Sequence, residues 1–344
     1  MPVNSITQKE SFPQASSEKL VEQKKPEDWG KALPGFVLRF LNSLKKQGKS
    51  INTLNAYKND LSFFAEFIIG TKADLENFTF PIQEHWLQFL KDHGRHSHAS
   101  QRRAQMSVRT FLHFLIQEGA IEGSPLLETK SPRQPAHSLL IISNTDYDKV
   151  VAVLKKKAHL NDPKSIRDWC LFLILGELGF KASEAANITF GHILKLADVK
   201  SKRQTAGHIK VPGQNERILP ISKEFSSSLK LLKKVREDLG LSTDANAKLF
   251  FGFINISRKV RAEALHRHGI KFVIYEVCEE LLGTPYNAES LRNRAIKSWL
   301  EQGLEQNKVA DFAGYSSLNS LERFYVKDSA LRSPRRQAKK DSKK

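Results

Sequence analysis

The feature that most constrains this chain is a break in its apolar pattern between Glu128 and His137. There Lys130-Ser131-Pro132-Arg133-Gln134-Pro135-Ala136 sets two prolines among small polar and basic residues. Proline lacks a backbone donor and biases the residue before it away from the helical region, so no regular element can run through the segment. A chain of 344 residues is also too long for one ordinary core and suits two, since domains cluster near ~100–150 residues. The break therefore reads as an interdomain linker, residues 128–138. It separates a helical unit, residues 31–127, from a larger unit, residues 139–327. Residues 1–30, rich in Ser, Gln, Glu, Lys and Pro without apolar periodicity, read as a disordered arm, and residues 328–344 as a basic tail.

In the first unit Leu54, Tyr57, Leu61, Phe64 and Ile68 recur at helical spacing and predict one buried face of a small helical bundle. A closing helix is expected over Ser100–Glu118, with Val108, Phe111, Leu112 and Leu115 on its apolar side and Arg102 and Arg109 on another. The second unit opens with a helix N-cap at Ser143-Asn144-Thr145-Asp146 and continues into an apolar run, Trp169–Leu178. The runs His208-Ile209-Lys210-Val211 and Arg217-Ile218-Leu219-Pro220-Ile221, flanking Pro212-Gly213-Gln214-Asn215, predict a β-hairpin. Helices are expected again from Ser226 to Ala313, then a turn at Gly314-Tyr315-Ser316-Ser317 and a last helix through Tyr325. The fold class is mainly α, with a small β element in the second unit.

Lys and Arg number 55 against 37 Asp and Glu, a formal charge of +18, and this field attracts polyanions. The tail after Leu331 holds seven basic residues and one Asp, so most of the excess lies in the body. Duplex nucleic acid is the first candidate partner, and the outward arginines of the closing helix are candidates for phosphate contact. No run approaches the ~20 apolar residues of a membrane span, and the first thirty residues are too polar for a signal peptide, so a cytoplasmic protein is expected. Cys170 and Cys278 lie far apart in apolar stretches and read as buried thiols of a reducing compartment. His93, His96 and His98 sit beside Gly94 and Ser97 and read as a solvated loop rather than a metal site; His266 and His268 read as a helix end.

Several strings in order resemble the tyrosine recombinases, the family of the Xer proteins and phage integrases, over roughly residues 35–327. Ser107-Val108-Arg109-Thr110-Phe111-Leu112 through Ser124-Pro125 is similar to the end of that family's helical core-binding (SAM-like) domain. Leu178-Gly179-Phe180-Lys181-Ala182-Ser183-Glu184 resembles the stretch bearing its first catalytic arginine, with Lys181 in the arginine's place. The hairpin Val211–Pro220 is similar to the one whose turn carries a catalytic lysine; here that place falls near Pro212, and Lys210 and Lys202 are the lysines nearby. Leu291-Arg292-Asn293 resembles the segment of the second arginine, with Glu289 where a histidine is usual. Gly314-Tyr315 up to Phe324-Tyr325 is similar to the Gly-His segment leading to the nucleophilic tyrosine, with Tyr315 replacing the histidine and Tyr325 about one residue late.

The resemblance implies a site-specific DNA recombinase that cuts and rejoins strands through a 3′-phosphotyrosyl intermediate, with no metal or nucleotide cofactor, as a dimer or tetramer on DNA or with a partner recombinase. The catalytic set it implies is Tyr325, Arg292, Lys181, Glu289, Tyr315 and Lys210, and the expected DNA contacts are Arg102, Arg103, Arg109, Lys202, Arg203 and Arg217. Glu289 is expected either to turn toward Lys181 or to act as a base. Tyr325 reads as the nucleophile or as an aromatic anchor of the last helix. Because four positions around Arg292 depart from the pattern, a non-cleaving relative that binds DNA as an architectural or regulatory factor is the alternative.

Overall fold

A computed structural model of the chain describes residues 28–76, 78, 80–127, 139–194, 206–213, 215–253 and 260–325. The chain divides into two compact units, Met1–Ala136 and His137–Lys344. The linker, residues 128–138, and the basic tail, residues 328–344, lie outside the described residues, as do Lys202 and Arg203. No helix among the described residues is long and apolar enough to cross a membrane.

The first unit packs four helices, α1 (Trp29–Lys46), α2 (Ile51–Thr71), α3 (Phe80–Asp92) and α4 (His98–Gln117). Helix α1 begins inside the stretch read as an arm. The Asp28 carboxylate accepts from the amides of Gly30 and Lys31 and caps the helix, while Trp29 is already buried. An N-capping acid followed by an apolar residue is the signal that marks this start. Ser50 and Ser97 cap α2 and α4 in the same way. Leu61, Phe64 and Ile68 of α2 face a core filled by Phe40, Trp86 and Phe111, where Phe64 meets Trp86 edge-on at 5.5 Å between ring centres.

Two of the arginines expected to face DNA are tied into this unit. Asp60, fully buried on α2, accepts two hydrogen bonds from Arg103, at 3.0 and 2.7 Å, and one from the Ser107 hydroxyl at 2.9 Å. Arg95 lies 3.5 Å from the same carboxylate. A buried carboxylate must be paired, and this one recruits Arg103 from the neighbouring helix. Arg109 donates to the backbone carbonyl of Leu127 and is half buried, so it fastens α4 to the 3-10 turn Pro125–Leu127 rather than standing on an outward stripe. Arg102 and Arg103 are both exposed, Arg103 despite its bonds to Asp60. Replacing Asp60 with Ala strands both guanidinium groups and the Ser107 hydroxyl. The expected loss is about 3 kcal/mol, at the low end for breaking a buried pair because Arg103 is partly exposed. Urea unfolding of the first unit measures it.

The second unit is built around α6 (Pro163–Gly176), in which every residue from Ser165 to Gly176 is buried. A helix apolar on all sides is a core helix, and α5 (Asn144–His159), α8 (Lys223–Asp238) and α10 (Ala288–Glu301) pack around it. Its two buried charged residues neutralise each other: Arg167 lies 2.7 Å from Asp168 and donates to the Phe251 carbonyl at 3.2 Å. Burial pushes the Asp168 carboxyl above its usual range against the pull of Arg167. The thiols of Cys170 and Cys278 are free and buried, and burial raises both to about 12.

The hairpin forms where the sequence predicts it. Strand β2 (His208–Val211) pairs antiparallel with β3 (Arg217–Pro220), His208 opposite Pro220 and Val211 opposite Arg217, and a short β1 (Ile193–Leu194) adds to its other edge. Ile209, Val211 and Leu219 point into the core while Ile218 is exposed, as a two-residue period requires. A second hairpin, β4 (Phe251–Phe253) with β5 (Val260–Ala264), interrupts the region read as continuous helix from Ser226 to Ala313. Its apolar run, Leu249–Phe253, is too short for periodicity to separate strand from helix. After it come α9 (Arg267–Leu282), α11 (Gln306–Ala313) and α12 (Asn319–Glu322), with α7 (Ala182–Ala185) earlier in the chain. His266 is the N-cap residue of α9, so it opens a helix instead of ending one.

Candidate active site

Arg292 organises this region from inside. It sits on α10 with 1% of its surface exposed, and its two terminal nitrogens donate to the carbonyls of Gly179 and, at 2.6 Å, of Ala313. Both carbonyls lie beside glycines with positive φ. Gly179 (φ +65°) turns the chain between α6 and Lys181, and a Cβ there would meet Trp299 at 2.7 Å. Gly314 (φ +63°) ends α11 in the left-handed conformation, and a Cβ there would lie 2.8 Å from Arg217 Nη1.

At the C-terminus of α11 the Gly314 and Tyr315 amides donate to Asp311 O and Ala310 O, and the next three carbonyls are taken by side chains from elsewhere. Arg217 Nε donates to Phe312 O at 2.7 Å, Arg292 to Ala313 O, and Asn215 Nδ2 to Gly314 O at 2.7 Å. The last carbonyls of a helix carry partial negative charge and lack intrahelical partners, so guanidinium groups and an amide satisfy them well. These three bonds fix the start of the segment that runs through Tyr315 to Tyr325. Leu321 and Phe324 then pack it against Ile296, Val309 and Ala313.

Glu184 is the anionic hub. Arg217 grips its two oxygens at 3.0 Å each, the Lys181 amide donates to it at 2.8 Å, and the Lys181 ammonium and Arg292 Nη1 lie at 3.7 and 3.9 Å. Burial pushes this carboxyl up, but the Arg217 hydrogen bonds and the surrounding positive charge outweigh it and hold the group below the usual 4.5. A carboxyl with a lowered folded value contributes stability that is complete above 4.5 and drains away as the pH falls through that lowered value. Native chain and Glu184→Gln are therefore expected to differ by about 3 kcal/mol at neutral pH, with the gap closing below pH 4.5. Urea midpoints across that range check it.

Around this hub the expected site residues fall into two groups. Lys181 keeps a half-exposed ammonium at the start of α7, and Tyr315 lies with the Arg292 guanidinium carbon 5.4 Å from its ring centre. Glu289 turns toward Arg323, at 3.7 Å, instead of toward Lys181, whose ammonium lies 3.7 Å from Glu184. Tyr325 follows α12 and is 54% exposed. Lys210 stands apart on β2, its ammonium 2.8 Å from Glu216. Arg217, expected on DNA, is instead an internal tie, since its guanidinium is buried against Glu184 and Phe312 O.

Three participants were not singled out from the sequence: Glu184, Asn215 and Arg323. Arg323 donates to the Tyr315 hydroxyl at 2.6 Å and lies over the Phe324 ring at 5.2 Å. The exposed face of α9 also presents Arg267, Lys271, Phe272 and Tyr275 at helical spacing, a basic and aromatic stripe hidden in sequence by the apolar residues between them. Among the described residues no group of acidic, histidine or cysteine side chains is placed to hold a metal ion.

Residues 142–332 match the phage integrase family, and residues 37–119 match its N-terminal SAM-like domain. The chain belongs to the phage integrase family. It is 24% identical over 292 residues to the tyrosine recombinase XerD of Listeria monocytogenes, covering 83% of this chain and 90% of that one. With the tyrosine recombinase XerC of Corynebacterium glutamicum it shares 22% over 275 residues, covering 80% and 81%. In fold it is similar to a lambda integrase tetramer bound to a Holliday junction (TM-score 0.61, 14% identity, 87% of this chain and 78% of that one). It is also similar to the XerH recombinase in a post-cleavage complex with its difH substrate (TM-score 0.60, 17% identity, 91% and 84%). The family's two-part architecture, helical SAM-like unit and mostly helical integrase unit, is thus the one seen here.

Proposed function

We propose that this integrase-family chain is a site-specific recombinase that cuts and rejoins duplex DNA through Tyr325. The observation that carries the reading is one connected cluster whose last member stands two residues before an exposed tyrosine: Lys181, Arg217 and Arg292 converge on Glu184, and the Tyr315 ring links Arg292 to Arg323. Cations outnumber carboxylates in it, so a phosphate is favoured there. Tyr325 Oη attacks phosphorus and loses its proton to solvent as the P–O bond to the 5′ oxygen breaks. The 5′ oxygen takes a proton from a lysine ammonium, for which Lys210 is the proposed donor, and the reverse step religates the strand. Arg102 and the α9 stripe are proposed duplex contacts, with the positive body steering the chain to DNA.

The lambda integrase and XerH proteins named above were solved on DNA, and the lambda protein as a tetramer. By that likeness this chain is proposed to work as a dimer or tetramer on DNA in the cytoplasm. The test is incubation with a pool of nicked duplexes carrying randomised half-sites, followed by a denaturing gel. A covalent protein–DNA band supports cleavage, and its absence with retained DNA binding removes it.

One observation favours a second reading, a relative that binds DNA without cutting it. Both terminal nitrogens of Arg292 are committed to backbone carbonyls, so its fork is closed to a phosphate in this conformation. Duplex binding that is unchanged by Tyr325→Phe and gives no adduct is the signature of that reading.

A further inference from the structure

The cluster holds one more guanidinium than the family pattern demands, and it is the most accessible of them. Arg217 and Arg292 are buried and fully engaged, and Lys181 offers an ammonium, which lacks the planar fork suited to phosphate oxygens. Arg323 is different. Its side chain is 40% exposed, and it stands two residues before Tyr325. One terminal nitrogen is held by the Tyr315 hydroxyl at 2.6 Å, which fixes the plane of the guanidinium, while Glu289 approaches no closer than 3.7 Å. The Tyr315 ring centre lies 5.4 Å from the Arg292 guanidinium carbon and 5.7 Å from that of Arg323, so one aromatic ring links the two positive charges.

We propose that Arg323 is a phosphate-binding guanidinium of this site, and that Glu289 is an anionic placeholder on it that a DNA phosphate displaces. The inference rests on the proposed function only in taking the bound anion to be a backbone phosphate of duplex DNA. A carboxylate 3.7 Å away makes an ion pair without a good hydrogen bond, the kind of exposed contact worth ~0.2–1 kcal/mol. A phosphate offers the same fork two oxygens and a bidentate geometry, so exchange is favourable. Tyr315, in the place where the pattern has a histidine, then acts as the positioning residue that keeps the fork turned toward the nucleophile. Glu289 sets the threshold, since an approaching phosphate must first overcome its negative charge.

The experiment measures binding of the full chain to a labelled random-sequence duplex by fluorescence anisotropy over a range of salt concentrations. Native chain, Glu289→Gln, Arg323→Gln and the double variant are compared, with thermal unfolding recorded for each. Glu289→Gln is expected to tighten binding about three- to tenfold. Arg323→Gln is expected to weaken it and to lower the slope of log K against log salt by about one, the loss of one phosphate contact. In the Arg323→Gln background the gain from Glu289→Gln is expected to vanish. Arg323→Lys, which keeps the charge, should restore the slope. Independent, additive effects, or an unchanged slope in Arg323→Gln, overturn the proposal. The expected coupling without any covalent adduct leaves the proposal standing and removes the cleavage reading. Failure of the native chain to bind duplex removes both.

Discussion

Replacing Tyr325 with Phe is expected to lower covalent capture of nicked DNA by more than about 10³-fold, because a phenyl ring has no oxygen with which to attack phosphorus. The change should leave the fold alone. Tyr325 is 54% exposed, and its ring does not belong to the cluster formed by Leu321, Phe324 and α10, so the stability change should stay within about 0.5 kcal/mol. The neighbouring aromatic gives the opposite pattern. Phe324 packs against that cluster, so Phe324→Ala should destabilise the end of the unit and disturb the register of Tyr325 without removing the nucleophile. Denaturing gels and thermal melts of the two variants separate chemistry from positioning.

Arg292→Ala is expected to be the most destabilising single change in the second unit. It strips hydrogen bonds from two buried carbonyls, Gly179 O and Ala313 O, and removes one of the charges balancing Glu184. Breaking a buried charged network typically costs about 3–5 kcal/mol, which for a unit of this size lowers the melting temperature by roughly 10 °C. Arg292→Lys should rescue little, since one ammonium cannot span two carbonyls on opposite segments as a planar fork does. Loss of DNA cleavage in either variant must therefore be read beside its melting curve.

Much of this architecture is legible in the residues. The helical spacing of Leu61, Phe64 and Ile68, the capping Ser143 and the alternating Ile209, Val211 and Leu219 each report local physics, and each element forms where its pattern lies. The misses have a common cause. Arg103, Arg109 and Arg217 look alike on a helix or strand surface, and only the fold reveals that Asp60, Leu127 O and Glu184 lie opposite them. A guanidinium that binds phosphate and one that closes a helix end have the same sequence signature. Periodicity likewise cannot announce that Glu289 faces Arg323, since the two residues are 34 apart in the chain and meet only through the turn at Gly314. The β4–β5 hairpin is hidden because the three residues of β4 carry too little pattern to compete with a helical reading of the same apolar run.

The proposed strand transfer depends on Tyr325 being the residue that joins DNA. Trypsin cuts after Arg323 and Lys327, so the adduct can be digested with nuclease and protease and the peptide Phe324–Lys327 examined by mass spectrometry. Strand transfer through Tyr325 is expected to leave a nucleotide phosphate on that peptide, located to Tyr325. A nucleotide found on any other residue, or a peptide recovered unmodified from a chain that demonstrably binds the duplex, contradicts it.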